Sequence, residues 1–326
     1  MYSFACDYLE GCHEDVLKAL CETNREQVPG YGEDRFTATA REEIREACAD
    51  PEASVWFVNG GTQANQLVID TMLESYEGVL AAQTGHVNVH EAGAIEFSGH
   101  KVLALPAHDG RVAAADVETY VRRFYGDENR EHMVFPGMVY ISHPTEYGTL
   151  YSAQELKSLS RVCHENHLKL FLDGARLGYG LAADGTDVTL PLIDQLCDVF
   201  YIGGTKVGAL NGEAIVFPKG EEPSHFLTRI KQHGALFAKG RLVGAQFSAL
   251  FKDDLYHRIS RHAIEKAHEI RRIFEDAGCR FYIDSPTNQQ FVILPNDVLQ
   301  ELENYVGFEI WEEYDEGHTV VRFASS

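Results

Sequence analysis

The sequence predicts an α/β protein with a large domain and a small one. The large domain carries a mainly parallel, seven-stranded-type sheet covered by helices, and the small C-terminal domain is α+β. Three observations predict this. Short apolar runs alternate with helix-period segments through the middle of the 326-residue chain. Such strand–turn–helix units pair their strands in parallel beneath helices on both faces. After Pro218 the pattern changes to a long helical stretch, then short apolar strands around one helix. The length suits one large and one smaller domain, placed here at 1–240, with an N-terminal arm over 1–30, and 241–326.

In chain order, Ser54–Val58 reads as a buried strand. Gly60-Gly-Thr-Gln-Ala-Asn65 turns it into a helix running through Met72. Gly78–Ala82 and Lys101–Leu105 are the next strands, and Ala113–Phe124 spaces its apolar residues as a helix does. Gly137–Ser142 is a strand, and Ser152 with Glu155 forms a capping box that starts a helix. Leu168–Leu172, Asp198–Ile202 and Glu213–Phe217 follow as strands. Gly240–Asp276 reads as nearly continuous helix. Arg280–Ile283, Gln290–Leu294, Gly307–Trp311 and Thr319–Phe323 are the C-terminal strands, with a helix over Pro295–Tyr305. Ligands of parallel sheets bind beyond the carboxyl ends of the strands, where Asn59–Thr62, Asp173 and Lys206 fall.

Composition narrows the function. With 50 acidic and 28 basic residues the net charge is −22, which disfavours nucleic acid and anionic membrane as partners. An anion site must then be built locally, from backbone amides and a few arginines. The seven cysteines are odd in number and form no C-x-x-C pair, so neither a disulfide framework nor a structural zinc site is expected. No signal peptide is recognised and no apolar run approaches the roughly 18 residues of a membrane span. The expected location is cytoplasmic.

Two segments carry the chemistry. Phe171-Leu-Asp173-Gly-Ala-Arg176 and Tyr201-Ile-Gly-Gly-Thr205-Lys206 are apolar strands leading to an aspartate and a lysine. Singly, these read as a helix-capping aspartate and a surface lysine. Together they are what pyridoxal phosphate requires: a lysine to form a Schiff base with its aldehyde, and an aspartate to keep the pyridine nitrogen protonated. Gly60-Gly61-Thr62 joins a strand to a helix start and offers amides and a hydroxyl to a phosphate. Neither a dinucleotide nor a nucleotide triphosphate fingerprint is present. His86 and His90, with Glu91, suit either a metal pair lacking a third ligand or an imidazole stacked on a pyridine with an acid/base neighbour. Arg176 lies on the turn leaving the Asp173 strand, and Arg322 lies in an apolar strand, where an arginine is suited to grip a carboxylate or phosphate.

In this order and spacing the motifs resemble the threonine aldolase branch of the β-eliminating lyases, within the fold-type I, aspartate aminotransferase-like superfamily. The resemblance runs from Phe4-Ala-Cys-Asp7 to Arg322. Gly30-Tyr-Gly-Glu-Asp34 is similar to a Y-G-E-D segment, Gly60-Gly-Thr-Gln-Ala-Asn65 to an S-G-T-x-A-N phosphate turn, and Asp173-Gly-Ala-Arg176 to D-G-A-R. His86 and Glu91 match an H-x-x-x-x-E spacing, and Thr205-Lys206 an S-K pair. The resemblance implies that Gly61, Thr62 and Thr205 serve the cofactor and that Asp173 meets the pyridine nitrogen. It makes Lys206 the covalent residue, His86 the stacking ring and Glu91 a substrate-side glutamate. Arg176 and Arg322 would take the substrate carboxylate. His132, ten residues before Ser142, has the spacing of a family histidine and would by this resemblance lie near the substrate hydroxyl. Arg241 or Lys239 would reach a neighbouring subunit's phosphate. The implied assembly is a homo-oligomer, dimer or tetramer, with sites at subunit interfaces. Departures are Ala5-Cys-Asp7 for R-S-D, Ser142-His-Pro-Thr145 for E-N-T-H, and Lys206-Val-Gly-Ala-Leu-Asn211 for K-G-L-G-A-P. Family members also usually continue with a helix beyond Phe323, whereas this sequence ends at Ser326.

The expected reaction cleaves the Cα–Cβ bond of a β-hydroxy-α-amino acid, with His86, His132 or water as base. β-Elimination or transamination on the same fold, a cofactor-binding protein without turnover, and a metal hydrolase built on His86 and His90 are the alternatives.

Overall fold

The computed structural model describes residues 2–326. Its strands are β1 (Tyr2–Ser3), β2 (Ser54–Val58), β3 (Glu77–Ala82), β4 (Val102–Leu105), β5 (Phe135–Ser142), β6 (Lys169–Asp173), β7 (Val199–Gly203) and β8 (Glu213–Phe217). After them come β9 (Arg280–Phe281), β10 (Gln289–Pro295), β11 (Val306–Gly307), β12 (Glu309–Asp315) and β13 (His318–Ala324). The helices are α1 (Glu14–Thr23), α2 (Arg35–Cys48), α3 (Gly61–Met72), α4 (His86–Val89), α5 (Ala94–Phe97), α6 (Ala114–Gly126) and α7 (Ala153–Glu165). They continue as α8 (Leu177–Ala182), α9 (Leu190–Leu196), α10 (Phe226–Gln232), α11 (Arg241–Phe251), α12 (Leu255–Asp276) and α13 (Asn296–Leu302).

Seven strands form one sheet in the order β2-β8-β7-β6-β5-β3-β4. All neighbours pair in parallel except at β8, which runs antiparallel to both β7 and β2. Alternate side chains of these strands point to opposite faces. Leu80, Val139, Ile141, Leu170, Leu172, Phe200 and Ile202 feed one core. Val79, Ala81, Met138, Tyr140, Phe171, Val199 and Tyr201 feed the other. Both faces are covered, which is why the strands read as unbroken apolar runs.

A separate antiparallel sheet, β12-β13-β10-β9, builds a smaller core of Val292, Leu294, Leu299, Val321 and Phe323. β1 pairs with β11 in a separate two-stranded sheet, and the Ala324 N–H at the end of β13 donates to the Phe4 carbonyl, which ties the segment after β1 to this sheet. The helix expected over Gly240–Asp276 is two helices. Lys252–Asp254 separates them, with Asp253 at φ 52° and Asp254 at φ 58°. Aspartate is among the few residues that accept this left-handed backbone, and apolar periodicity does not register such a break. Among the described residues no helix is long and apolar enough to cross a membrane.

Candidate active site

The carboxyl ends of the parallel strands bring Asn59, Ser142, Asp173 and Gly203 to one edge of the sheet. Because β8 is reversed, its first residue, Glu213, reaches the same edge. A cleft of about 380 Å³ opens there, and Gly61, Thr62, His86, Asp173, Arg176, Thr205 and Lys206 all line it.

Asp173 is the most heavily hydrogen-bonded carboxylate of the cleft. Oδ2 accepts from the Tyr140 hydroxyl at 2.5 Å and the Asn65 amide at 2.9 Å. Oδ1 accepts from the Tyr201 hydroxyl at 2.5 Å and the Ala175 backbone N–H at 2.9 Å. Burial opposes its charge. His86 and then the Tyr140, Tyr201 and Ala175 donors overcome that, holding its carboxyl below the ordinary aspartate value. The packing around this anion is close: a Cβ added at Gly61 would sit 2.8 Å from the Tyr201 hydroxyl oxygen.

His86 begins α4, and its Nδ1 lies 2.8 Å from Glu91 Oε1. Asn65 Nδ2 donates to that same oxygen at 2.7 Å, linking the histidine to Asp173 through one amide. Glu91 is buried behind the imidazole rather than on the cleft wall. The structure thus places it where it orients His86. His90 caps the helix, with its ring centroid 5.7 Å from that of His86.

Lys206 follows β7. Burial first, and then the Arg176 charge, push its amine below the usual lysine range, which favours the neutral nucleophile. Glu213 accepts the Gly204 N–H at 2.9 Å, and burial raises its carboxyl to about 8. Both shifts act in one direction, toward a neutral lysine beside a neutral carboxyl.

Arg176 lines the cleft, but its Nε and Nη2 are bound by Asp7 at 2.7 and 2.9 Å. Asn288 also donates to Asp7. Arg322 is buried on β13, where it is held by Gln289, the Ala5 carbonyl and Glu309 and stacked over Trp311. It stands beyond the cleft wall rather than in it.

Two further expected residues, besides Glu91 and Arg322, are not brought to this cleft. His132 is exposed and precedes β5, so the length of that strand separates it from the carboxyl-end edge. The motif spacing that singled it out carries no information on which end of the strand it occupies. Arg241 starts α11 and donates to the carbonyls of Thr23 and Asn24; Lys239 is exposed in the same segment. Conversely, Asn65, Tyr140, Tyr201, Glu146 and Glu213 were not singled out. Asn65 lies one helical turn beyond Gly61, which was a usable signal. The tyrosines were concealed within apolar strands.

The residues present fit pyridoxal phosphate. The first turn of α3 leaves its amides without a capping side chain, and the space beside Gly60 is open. These donors at a helix N-terminus suit a phosphate. Asp173 supplies a fixed anion for a protonated ring nitrogen, and Lys206 supplies the amine.

Comparisons with known proteins agree. Residues 7–287 match the β-eliminating lyase family. A threonine aldolase structure from Leishmania major superposes with a TM-score of 0.97 at 40% identity, covering 100% of this chain and 94% of that one. The low specificity L-threonine aldolase of Pseudomonas aeruginosa is 31% identical over 302 residues, 92% of this chain and 86% of that protein. Cystalysin from Treponema denticola, which contains pyridoxal 5′-phosphate, shares the fold at 13% identity and a TM-score of 0.70.

Proposed function

The chain belongs to the β-eliminating lyase family, and from that premise we infer that it cleaves threonine- and allo-threonine-type amino acids to glycine and an aldehyde. It is a pyridoxal-phosphate-dependent aldehyde-lyase. The observation that carries the reading is one cleft holding a fixed anion, Asp173, and a buried amine of lowered basicity, Lys206.

When bound, pyridoxal phosphate supplies a covalent handle for the amino group and a sink for the electron pair released from the Cα–Cβ bond. The chain's own residues do the rest. The amides of Gly61 and Thr62 hold the phosphate at the start of α3, beside Thr205. Asp173 holds a proton on the ring nitrogen. Arg176 keeps Nη1 free of Asp7, which leaves that group available to a substrate carboxylate, with Arg322 adding positive charge behind it. The Glu91 contact fixes His86 with Nδ1–H toward the carboxylate, which leaves Nε2 as the acceptor for the β-hydroxyl proton. Proton transfer of this kind contributes about 10²–10⁴-fold.

Incubating the holoenzyme with threonine and allo-threonine tests this: glycine and acetaldehyde are expected in equal amounts. Ammonia and a keto acid instead would move the chain to β-elimination.

A homo-oligomer is part of the same reading. Arg241 and Lys239 lie outside their own cleft, and Tyr31, Leu210 and Leu242 are apolar and exposed nearby. These features support a second copy covering the cleft and bringing Arg241 to its phosphate. Sedimentation at micromolar concentration is expected to give a species larger than the 36.5 kDa monomer. The seven cysteines are all free, which suits a reducing compartment such as the cytoplasm.

A further inference from the structure

Glu146 is a buried carboxyl that none of the roles above uses. It follows β5 through the turn at His143 and Pro144 and lines the cleft beside His86 and Ser142. Its Oε1 is saturated, accepting the His86 backbone N–H at 2.8 Å and the Ser142 hydroxyl at 2.7 Å. Its Oε2 is fully buried and has no hydrogen-bond partner. An unpaired carboxylate oxygen in that position is costly, whereas a carboxylic acid carries its own donor.

We propose that Glu146 is a protonated acid of the cleft whose Oε2 donates a hydrogen bond to the ring hydroxyl oxygen of bound pyridoxal phosphate. The inference rests on the cofactor reading given above. A row of adjacent polar groups locates the contact. Tyr140 donates to Asp173 at 2.5 Å, Ser142 Oγ lies 3.3 Å from the Tyr140 hydroxyl oxygen, and Ser142 donates its one proton to Glu146 at 2.7 Å. The row therefore runs along one wall from Asp173 to Glu146. In pyridoxal the hydroxyl-bearing carbon is separated from the ring nitrogen by a single carbon. A ring with its nitrogen at Asp173 and its edge along this wall presents that oxygen to Glu146.

The surroundings hold the proton on Glu146. Asp173 on β6 keeps its charge because it receives four donors. Glu91 lies behind His86, and Tyr140, Tyr147 and Tyr151 are other titratable groups facing this carboxyl. Burial, reinforced by the Asp173 charge, raises the Glu146 carboxyl above the ordinary glutamate value.

A donor on the ring oxygen stabilises that oxygen's anionic form and lowers the pH at which the bound chromophore loses its proton. The test is a pH titration of the holoenzyme's visible absorption. Glu146→Ala is expected to raise the midpoint by about one pH unit, the size of a hydrogen bond to a charged group. Glu146→Gln retains an N–H donor and is expected to leave the midpoint near the wild-type value. An unmoved midpoint in the alanine variant overturns the proposal. So does a lowered midpoint in the glutamine variant, which would mean an ionised Glu146. Should the alanine variant fail to fold, infrared difference spectra on cofactor loading decide. A protonated-carboxyl stretch present in wild type and missing in Glu146→Gln supports the assignment, and its absence from wild type overturns it. A wild-type chain that takes up no pyridoxal phosphate overturns the cofactor reading as well, so the two failures are distinguishable.

Discussion

Asp173, at the end of β6, accepts four hydrogen bonds, whereas Glu213, at the start of β8, accepts the Gly204 amide with the Thr205 hydroxyl beside it. Both carboxyls are buried in the same cleft. One is held below the usual carboxylate range and the other is raised to about 8. The difference lies in neighbours rather than depth, because burial raises both and only at Asp173 do the His86 charge and then the donors reverse it. The Asp173 wall therefore offers a permanent negative charge. The Lys206 wall shifts an amine downward and a carboxyl upward, both toward the neutral form, and the neutral form of a lysine is the nucleophile.

Removing the amine is expected to have the largest effect. Lys206→Ala should abolish covalent attachment of the cofactor, seen as loss of its visible band and of the adduct mass, and lower kcat by more than about 10³-fold. Asp173→Asn keeps the shape of the opposite wall and removes its charge. A drop in kcat of about 10²–10⁴-fold is expected; an unchanged kcat would remove the contrast between the walls.

Asp7 and Arg176 extend the comparison to the buried ion pair that anchors the cleft-lining arginine. Asp7→Asn leaves the Arg176 charge unmatched, and chemical denaturation should show a loss of about 3–5 kcal/mol. Burial alone would raise the Asp7 carboxyl, but Arg176 and then Lys206 hold it at about 2, below its ordinary 3.8. A depressed carboxyl contributes stability that is present above pH 3.8 and lost as the pH falls toward 2. The wild type should show that acid limb and Asp7→Asn should not.

Glu213 has the opposite sign. Its carboxyl rises from 4.5 to about 8, so the folded state binds an extra proton between those values and stability falls as pH rises through them. Glu213→Gln should flatten that slope in thermal unfolding. A slope unaltered in the variant would show Glu213 to be ionised. The smallest effect is expected of Tyr201→Phe. It removes one of four donors to Asp173 and should weaken cofactor affinity by about 1–1.5 kcal/mol, measured by titrating the apoenzyme.

Much of the fold was legible because both faces of the large sheet are covered, which leaves apolar runs that composition and punctuation reveal. Asp173 and Lys206 were legible for a related reason: each is the polar residue at which such a run stops. The partners of these residues were not. Asn65 reaches Asp173 across 108 residues of sequence and Asp7 reaches Arg176 across 169, and no local pattern encodes such a meeting. Tyr140 and Tyr201 read as strand filling, although their hydroxyls are what hold the Asp173 charge.

By itself, then, the sequence determined the α/β architecture, the strand-to-helix turn at Gly60–Thr62 and the aspartate–lysine pair, because backbone periodicity and strand ends are local properties. Tertiary structure alone decided that Arg176 is gripped by Asp7, that Glu91 backs His86, and that His132 lies at the far end of its strand. It also decided, through the reversal of β8, that Glu213 stands beside Lys206. Each depends on which chain segments meet and in which direction they run, and a protonation state follows from that meeting rather than from the residue's own neighbours in sequence.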